Sequence, residues 1–383
     1  MPNQLRSISP FLDLLSNEIK ILPATGGAVE ELQHPDQEEI EDIIINKETK
    51  TITAFAETPE PDYKNLYRPT PLISRAGNHL FHFFIDGSIR TYFLGTGIEG
   101  SRSFPIELAQ IGAAVVKRAD DGQLSVLSQK QQILLLLPKQ NQGISDTLWQ
   151  QIRRIKKPDW LEIIDFTMPD KLADTKKDPK DKAGAKARSE MHKLEIELIR
   201  HTDSLRNENS WLILDGAVKF VEEEIWNSWK SNPYLIGVAK SFRKDPMFQF
   251  GRRTSQRKDI TTILAGLPQA YRTVAFSSFD EKIAFWYVRL REQKELDYPL
   301  MGVVKVEIPR PDKEPIESEL ADLISSALVA ERNVTPYGLD SRWHCSLYPI
   351  HIAEQVIKNR FFSNEVLMGC VKWPKPQTGG PNE

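Results

Sequence analysis

Two stretches constrain the fold of this chain more than any others. Trp211 to Val218, WLILDGAV, runs four apolar residues straight into Asp215-Gly216, and Leu80 to Ser88, LFHFFIDGS, runs into Asp86-Gly87. A continuous apolar run of this length reads as a strand buried on both faces. A carboxylate at the end of such a strand is costly unless something positive meets it. Two such strands suggest two carboxylates converging on one cation. Taken alone, Asp-Gly between LFHFFID and IRTYFLG also reads as a β-hairpin turn. The sequence leaves both readings of Asp86 open.

More strands follow the same logic: Ala113 to Arg118, Gln132 to Leu137, Trp160 to Phe166, Tyr234 to Ala239, Lys282 to Leu290 and Leu300 to Ile308, the last two adjacent. Helices are expected over Leu148 to Ile155, Ser189 to Arg206, FVEEEIWNSW, Pro315 to Glu331 and Leu347 to Phe361, where Pro349 suits a helix N-terminus. Strands interleaved with helices give an α/β chain with a mixed central sheet flanked by helices.

Residues 1–70 read as an N-terminal arm: a helix-like FLDLLSNEIKIL after Ser9-Pro10, an acidic QEEIED, an alternating TITAFA, then Pro59, Pro61, Pro69 and Pro71. Such an arm is a solvated extension, an oligomer contact or a partner-docking segment. Residues 71–365 form the main domain. Within it 138–188 is an insertion, whose DKLADTKKDPKDKAGAKAR has almost no large apolar residue and reads as a mobile surface loop. Residues 366–383 read as a flexible tail.

In the helix before WLILDG, Met191, Leu194, Leu198 and Ile199 bracket one face at ~100° per residue. Glu195 falls inside that face, whereas Glu190 and Glu197 project elsewhere. A carboxylate within an apolar stripe needs a partner; it is a salt-bridged edge residue or part of a site. Lys240 closes the strand YLIGVA. In the last helix Ile350, Ala353, Val356 and Ile357 form the core face, and His351 and Glu354 lie three apart. After Lys240, SFRKDPMFQFGRRTSQRK carries Arg243, Lys244, Arg252, Arg253, Arg257 and Lys258 against Asp245, interleaved with Phe242, Phe248 and Phe250. Cations track phosphates and aromatics stack on bases; the same pattern also suits a basic loop tucked onto a core by its phenylalanines.

The net charge of -3 at pH 7 over 383 residues carries no global signature of nucleic-acid binding, so any such surface is local. Two cysteines, Cys345 and Cys370, provide no disulfide framework and fit a reduced compartment. No apolar run approaches the ~18 residues that span a bilayer, and the N-terminus lacks the pattern of a signal peptide. A cytoplasmic protein without membrane contact is expected.

Asp86, Glu195, Asp215 and Glu354 follow the strand, helix, strand, helix order of carboxylates in ribonuclease H-like nucleases. More narrowly, FFIDGS, EMHKLEIEL before WLILDGAV, LIGVAKS, the strands FWYVRL and VVKVEIP, and YPIHIAEQ together resemble the NurA family of nucleases over residues 80 to 360. The resemblance implies a ribonuclease H-like fold, Mn2+- or Mg2+-dependent DNA nuclease activity, a homodimer, and work with a HerA-type hexameric ATPase that pumps duplex DNA. It implies Asp86, Glu195 and Asp215 as metal ligands and catalytic residues. Lys240 would contact the scissile phosphate or a metal-bound water, and Tyr348 matches the tyrosine at the C-terminal helix start. Glu354 departs from the His or Asp expected of the late ligand, and His351 competes for that place. Hard cations take oxygen ligands, and two of them about 4 Å apart activate a water and stabilise a leaving oxygen. The competing expectations are a non-catalytic ribonuclease H-like DNA-binding partner of a motor, and an RNA-directed nuclease with the same chemistry.

Overall fold

The computed structural model describes residues 5–24, 30–32, 51–74, 79–167, 178–218, 226, 229–230, 232–242, 244, 246–249, 257–278, 281–294, 297–298, 300–331, 333–334 and 344–374. Ten strands form the spine of one mixed sheet: β1 (Tyr67–Pro69), β2 (Phe81–Glu99), β3 (Arg102–Arg118), β4 (Leu124–Leu137), β5 (Leu161–Asp165), β6 (Trp211–Asp215), β7 (Leu235–Ala239), β8 (Tyr271–Thr273), β9 (Ile283–Arg289) and β10 (Val303–Pro309). Their order is β1-β8-β9-β10-β7-β6-β2-β3-β4-β5. β2, β3 and β4 are antiparallel neighbours; β6 runs parallel to β2 on one side and to β7 on the other. Helices flank the sheet: α1 (Ser9–Glu18), α2 (Asp146–Arg154), α3 (Pro179–His201), α4 (Ile260–Ala265), α5 (Ser318–Ala330), α6 (Tyr348–Lys358) and α7 (Asn364–Cys370). The chain is thus an α/β protein. Among the described residues, no helix is long and apolar enough to cross a membrane.

Strand alternation divides the central core. Phe83, Ile85, Leu212 and Leu214 pack with Met191, Leu194 and Leu198 of α3. Phe84, Ile213, Ile236 and Val238 pack on the opposite face with Ile324 and Leu328 of α5 and Ile350 of α6. Both faces are covered, which is why β6 and β7 are apolar throughout rather than alternating. A third core lies at the far end of β2 and β3, where Tyr92, Leu94, Phe104 and Leu108 meet α1, α2 and α7.

Four expectations are corrected. Asp86-Gly87 is not a hairpin turn: β2 is one strand of 19 residues that passes straight through both, paired with Ala114 and Ala113 of β3. The reversal comes at Gly100, where φ is +62°, a conformation glycine adopts without strain.

The N-terminal residues are not a solvated arm. Phe11, Leu12 and Leu15 of α1 are buried in the third core, Lys20–Pro23 and Glu30–Leu32 pair with the far half of β2, and Tyr67–Pro69 joins the sheet. Glu57 is buried against Arg272, whose guanidinium donates to it at 2.8 and 3.1 Å. The acidic QEEIED lies outside the described residues.

Within residues 138–188 the expected helix and strand form as α2 and β5, but the Lys/Asp-rich stretch after them is not a mobile loop throughout. Helix α2 and strand β5 extend the sheet, and α3 begins at Pro179, ten residues before Ser189, with Asp178 accepting from the Lys180 N–H at 2.9 Å. Ala183, Gly184, Ala185 and Ala187 are buried; small side chains let this end of the helix lie close to the sheet, so burial needs no large apolar residue. Residues 168–177 of the same Lys/Asp-rich stretch lie outside the description.

The tail is packed as far as 374. Leu367 and Val371 are buried, and the Trp373 indole donates to the Leu94 carbonyl at 2.8 Å.

Candidate functional site

β2 and β6 bring the two Asp-Gly motifs together. Ile85 pairs with Leu214 in register, so Asp86 and Asp215 occupy the next step along adjacent parallel strands. Phe84 and Ile213, two residues earlier on each strand, share the core under α5 and α6. By alternation both aspartates project from that face. β7 adds the cation: Lys240 follows Ala239, and its Nζ lies 2.7 Å from Asp215 Oδ2. Glu354, on α6 over the same face, acts on both Asp86 and Lys240 electrostatically.

The charges do not balance evenly. Burial pushes the Asp86 carboxyl well above the usual carboxylate range. Asp215 pushes it further, Lys240 opposes this, and Glu354 and Glu195 add to the rise. Burial alone would lower Lys240, but Asp215, Asp86 and Glu354 hold its ammonium above its ordinary value. Burial raises Glu354, but Lys358, which donates to it at 2.5 Å, together with Lys240 and His351 brings it below its ordinary value. His351 Nδ1 lies 3.7 Å from Glu354 Oε2.

Glu195 comes from the other side of the sheet. It is 2 % exposed, on the α3 face, and its Oε1 atom lies 2.6 Å from where Gly87 would carry a Cβ. His192 Nδ1 lies 2.6 Å from its Oε2 atom. Glu190 is held by Lys186 and Lys193, and Glu197 by Lys130. Of the three glutamates on this helix, Glu195 alone is buried against the Asp86-Gly87 step. Among the described residues, no three His, Cys, Asp or Glu side chains form a ready cage for a metal ion. Glu195 is across the sheet, and Lys240 already neutralises Asp215.

Tyr348 is placed at the start of α6. It lines a cavity of about 400 Å³ with His79, Arg118 and Glu331, and none of the four carboxylates lines that cavity. It starts α6, six residues and hence about 9 Å along the axis before Glu354.

The basic segment after Lys240 is described in part. Lys244 and Arg257 are exposed, with Arg257 donating to Gln249 at 3.1 Å. Arg243, Arg252, Arg253 and Phe250 lie outside the described residues. Phe242 packs on Tyr287 with ring centroids 5.0 Å apart, and Phe248 on Phe276 at 4.8 Å. Those two rings are spent on the core rather than offered to bases.

One contributor was not recognised in the sequence. Glu307 of β10 is fully buried, and its Oε2 accepts from the Val218 N–H at 2.8 Å while Lys305 Nζ lies 2.7 Å from Oε1. It holds the turn that follows Asp215. Gly216 in that turn has φ +114°, and its carbonyl lies 2.6 Å from where Gly237 would carry a Cβ. The signal was present: VVKVEIP places a carboxylate inside a buried strand, the anomaly that singled out Asp86 and Asp215.

No protein-family model matches the chain, and no curated protein matches it.

Proposed function

We propose that this protein is a divalent-metal-dependent DNA nuclease that hydrolyses phosphodiester bonds by a metal-activated water, on a ribonuclease H-like scaffold. The observation that carries the reading is the placement of Asp86 and Asp215 side by side on adjacent strands, with Glu354 over the same face. Burial first, and then Asp215, Glu354 and Glu195, raise the Asp86 carboxyl against the opposing Lys240. A dication relieves that repulsion, and an all-oxygen donor set suits Mg2+ or Mn2+. The order of the acids also supports it: Asp86 on a strand, Glu195 on a helix, Asp215 on a strand, Glu354 on a helix.

Asp86 and Asp215 would hold the metal, with Glu354 as the neighbouring ligand and Glu195 reaching the Asp86 step beside Gly87. A bound metal lowers the pKa of its water and stabilises the leaving oxygen. Glu307 keeps the Asp215-Gly216 turn in place. Lys240, held charged, is positioned to contact a phosphate once Asp215 is engaged elsewhere. His351, 3.7 Å from Glu354 on the same helix, competes with it as the late ligand, and Tyr348 stands at the start of that helix. Lys244 and Arg257, with Arg243, Arg252 and Arg253, supply the basic approach for the strand.

A second reading has its own observation. The 2.7 Å Lys240–Asp215 pair neutralises one carboxylate internally, as a scaffold that binds DNA or a motor without cutting would do. Cleavage assays in Mn2+, Mg2+ and EDTA, with Asp86→Ala and Asp215→Ala alongside, separate the two. Metal-dependent cutting lost in both folded variants supports the nuclease; no cutting, even with a cognate ATPase and ATP, supports the scaffold.

A homodimer and a HerA-like hexameric ATPase partner belong to the same proposal. Deleting residues 1–60 is an unsuitable test of docking, because it removes α1 and Glu57 from the core. Charge reversal at exposed Asp13 of α1 is the cleaner probe.

A further inference from the structure

The central sheet ends at β5 with an open edge. Among the described residues no strand pairs with its outer side. The Ile133 N–H donates to the Trp160 carbonyl at 2.7 Å, and the Phe166 N–H donates to the Leu137 carbonyl. In a parallel ladder this parity turns the peptide groups of Glu162 and Ile164 toward β4 and those of Ile163 and Asp165 outward. Exposed strand edges are templates for pairing with another chain.

The edge is also the floor of a groove of about 410 Å³, walled by α2 on one side and α3 on the other. Trp149 and Ile152 of α2 are buried beneath it, and half-buried Ile164 gives its α3 side an apolar patch. Its rim is cationic. Arg153 and Lys157 line it from α2 and the following turn, Lys139 from the turn after β4 and Lys186 from α3. Lys157 lies 2.7 Å from Glu162, Lys139 3.3 Å from Asp165 and Lys186 3.0 Å from Glu190, all in partly exposed pairs. Such pairs are weak and can be shared with an incoming carboxylate. Arg153, Arg154, Lys156 and Lys157 fall within five residues that contain no acid. A chain of net charge -3 therefore places a local basic cluster beside an open strand edge.

We propose that this edge docks an extended acidic segment of a partner protein, which adds to β5 as a further strand. The backbone of Ile163 and Asp165 would supply the hydrogen bonds. Alternate side chains of the added strand would face Arg153 and Lys157 on the α2 side and half-buried Ile164 on the α3 side, so the partner sequence alternates acidic with apolar residues. The site shares helix α3 with the carboxylate cluster but uses Lys186 and Glu190 rather than Glu195, and it does not depend on the nuclease reading.

The test is fluorescence anisotropy of the full chain with a labelled peptide of alternating Glu and Val. The controls are a peptide of alternating Lys and Val and a single-stranded oligothymidine. Saturable binding of the Glu-Val peptide is expected, with none of the Lys-Val peptide. Ile163→Pro removes an outward N–H at a position where an edge strand tolerates proline, and should abolish binding. Arg153→Glu with Lys157→Glu should weaken it by about tenfold. Circular dichroism and melting confirm that each variant is folded, and the exposed charge pair serves if the proline variant is not. Binding that ignores both changes overturns the proposal. So does failure to bind the peptide, or capture of the oligothymidine in its place.

Discussion

The Oε1 atom of Glu195 lies 2.6 Å from the point where Gly87 would carry a Cβ, and Met191 Sδ lies 2.8 Å from the same point. Helix α3 therefore comes down onto a step of β2 that has no side chain, and a buried carboxylate fills the place. Gly87→Ala forces Glu195 and Met191 to move and should cost about 1–3 kcal/mol, the usual range for overpacking. Because the neighbours are side-chain ends, adding Glu195→Ala should recover part of that loss. Urea denaturation of the three variants reads both effects. Wild-type stability in Gly87→Ala would mean that the contact is not tight.

Asp86 links the site to stability. Its carboxyl is raised chiefly by burial and then by Asp215. A group raised in the folded state contributes stability that is complete below its unfolded pKa and is lost as pH rises through the folded value. At neutral pH the native state therefore bears an unfavourable acid here. Asp86→Asn should melt higher than wild type at pH 7 in EDTA and equal to it in acid. A lower melting temperature at pH 7 would show that Asp86 is stabilised where it stands. Trading stability for a charged site is a common feature of functional centres.

A second buried acid predicts a pH slope with no part in the proposed chemistry. Glu107 of β3 is fully buried, and neither carboxyl oxygen accepts a hydrogen bond among the described residues. Burial pushes it from 4.5 to about 9; Lys180 opposes the rise, and Asp178 and Asp181 add to it. Its contribution to stability is complete below 4.5 and disappears as pH climbs to about 9. Glu107→Gln should flatten the decline of stability across that window, measured by denaturation at several pH values. An unchanged slope would place its origin elsewhere.

Arg272 joins the N-terminal residues to the sheet. It is fully buried, donates twice to Glu57, and donates from Nε to Asp322 at 2.5 Å. Removing one partner of a buried ion pair strands the other, and Arg272→Met should cost about 3–5 kcal/mol. In the wild type, burial raises Glu57 but Arg272 lowers it below its ordinary value. Its contribution is therefore present above the unfolded pKa and lost as pH falls through the folded one. Urea midpoints of the two proteins at neutral pH decide the matter; a loss under about 1 kcal/mol, in the range of an exposed pair, would contradict it.

Much of this was legible in the chain because burial on both faces writes itself as an unbroken apolar run. WLILD, LIGVA, FWYVR and VVKVE all form strands of the central sheet, and Asp86 and Asp215 stood out as acids where acids are expensive. What escaped has physical reasons. Asp86-Gly87 has hairpin composition, and its place inside a long strand rests on pairing with β3 and with β6, the latter more than a hundred residues away. The start of α3 hides because Ala183, Gly184 and Ala187 bury their surface through closeness rather than size. The N-terminal residues read as an arm because their partners, Arg272 for Glu57 and Leu94 with Tyr92 for α1, are distant in sequence. Helical periodicity placed Glu195 on its helix face, but which face of the sheet that helix covers is a matter of topology, and Glu195 sits across the sheet from Asp215.

The central claim is most directly tested by incubating the full chain with linear and circular, single- and double-stranded DNA in Mn2+, Mg2+ or EDTA. Asp86→Ala and Asp215→Ala run beside it, after melting curves show both variants folded. The account predicts cleavage with metal, none in EDTA, and loss of cleavage in both variants. Cutting that persists in EDTA, or in either variant at the wild-type rate, would contradict a reaction centred on these two aspartates.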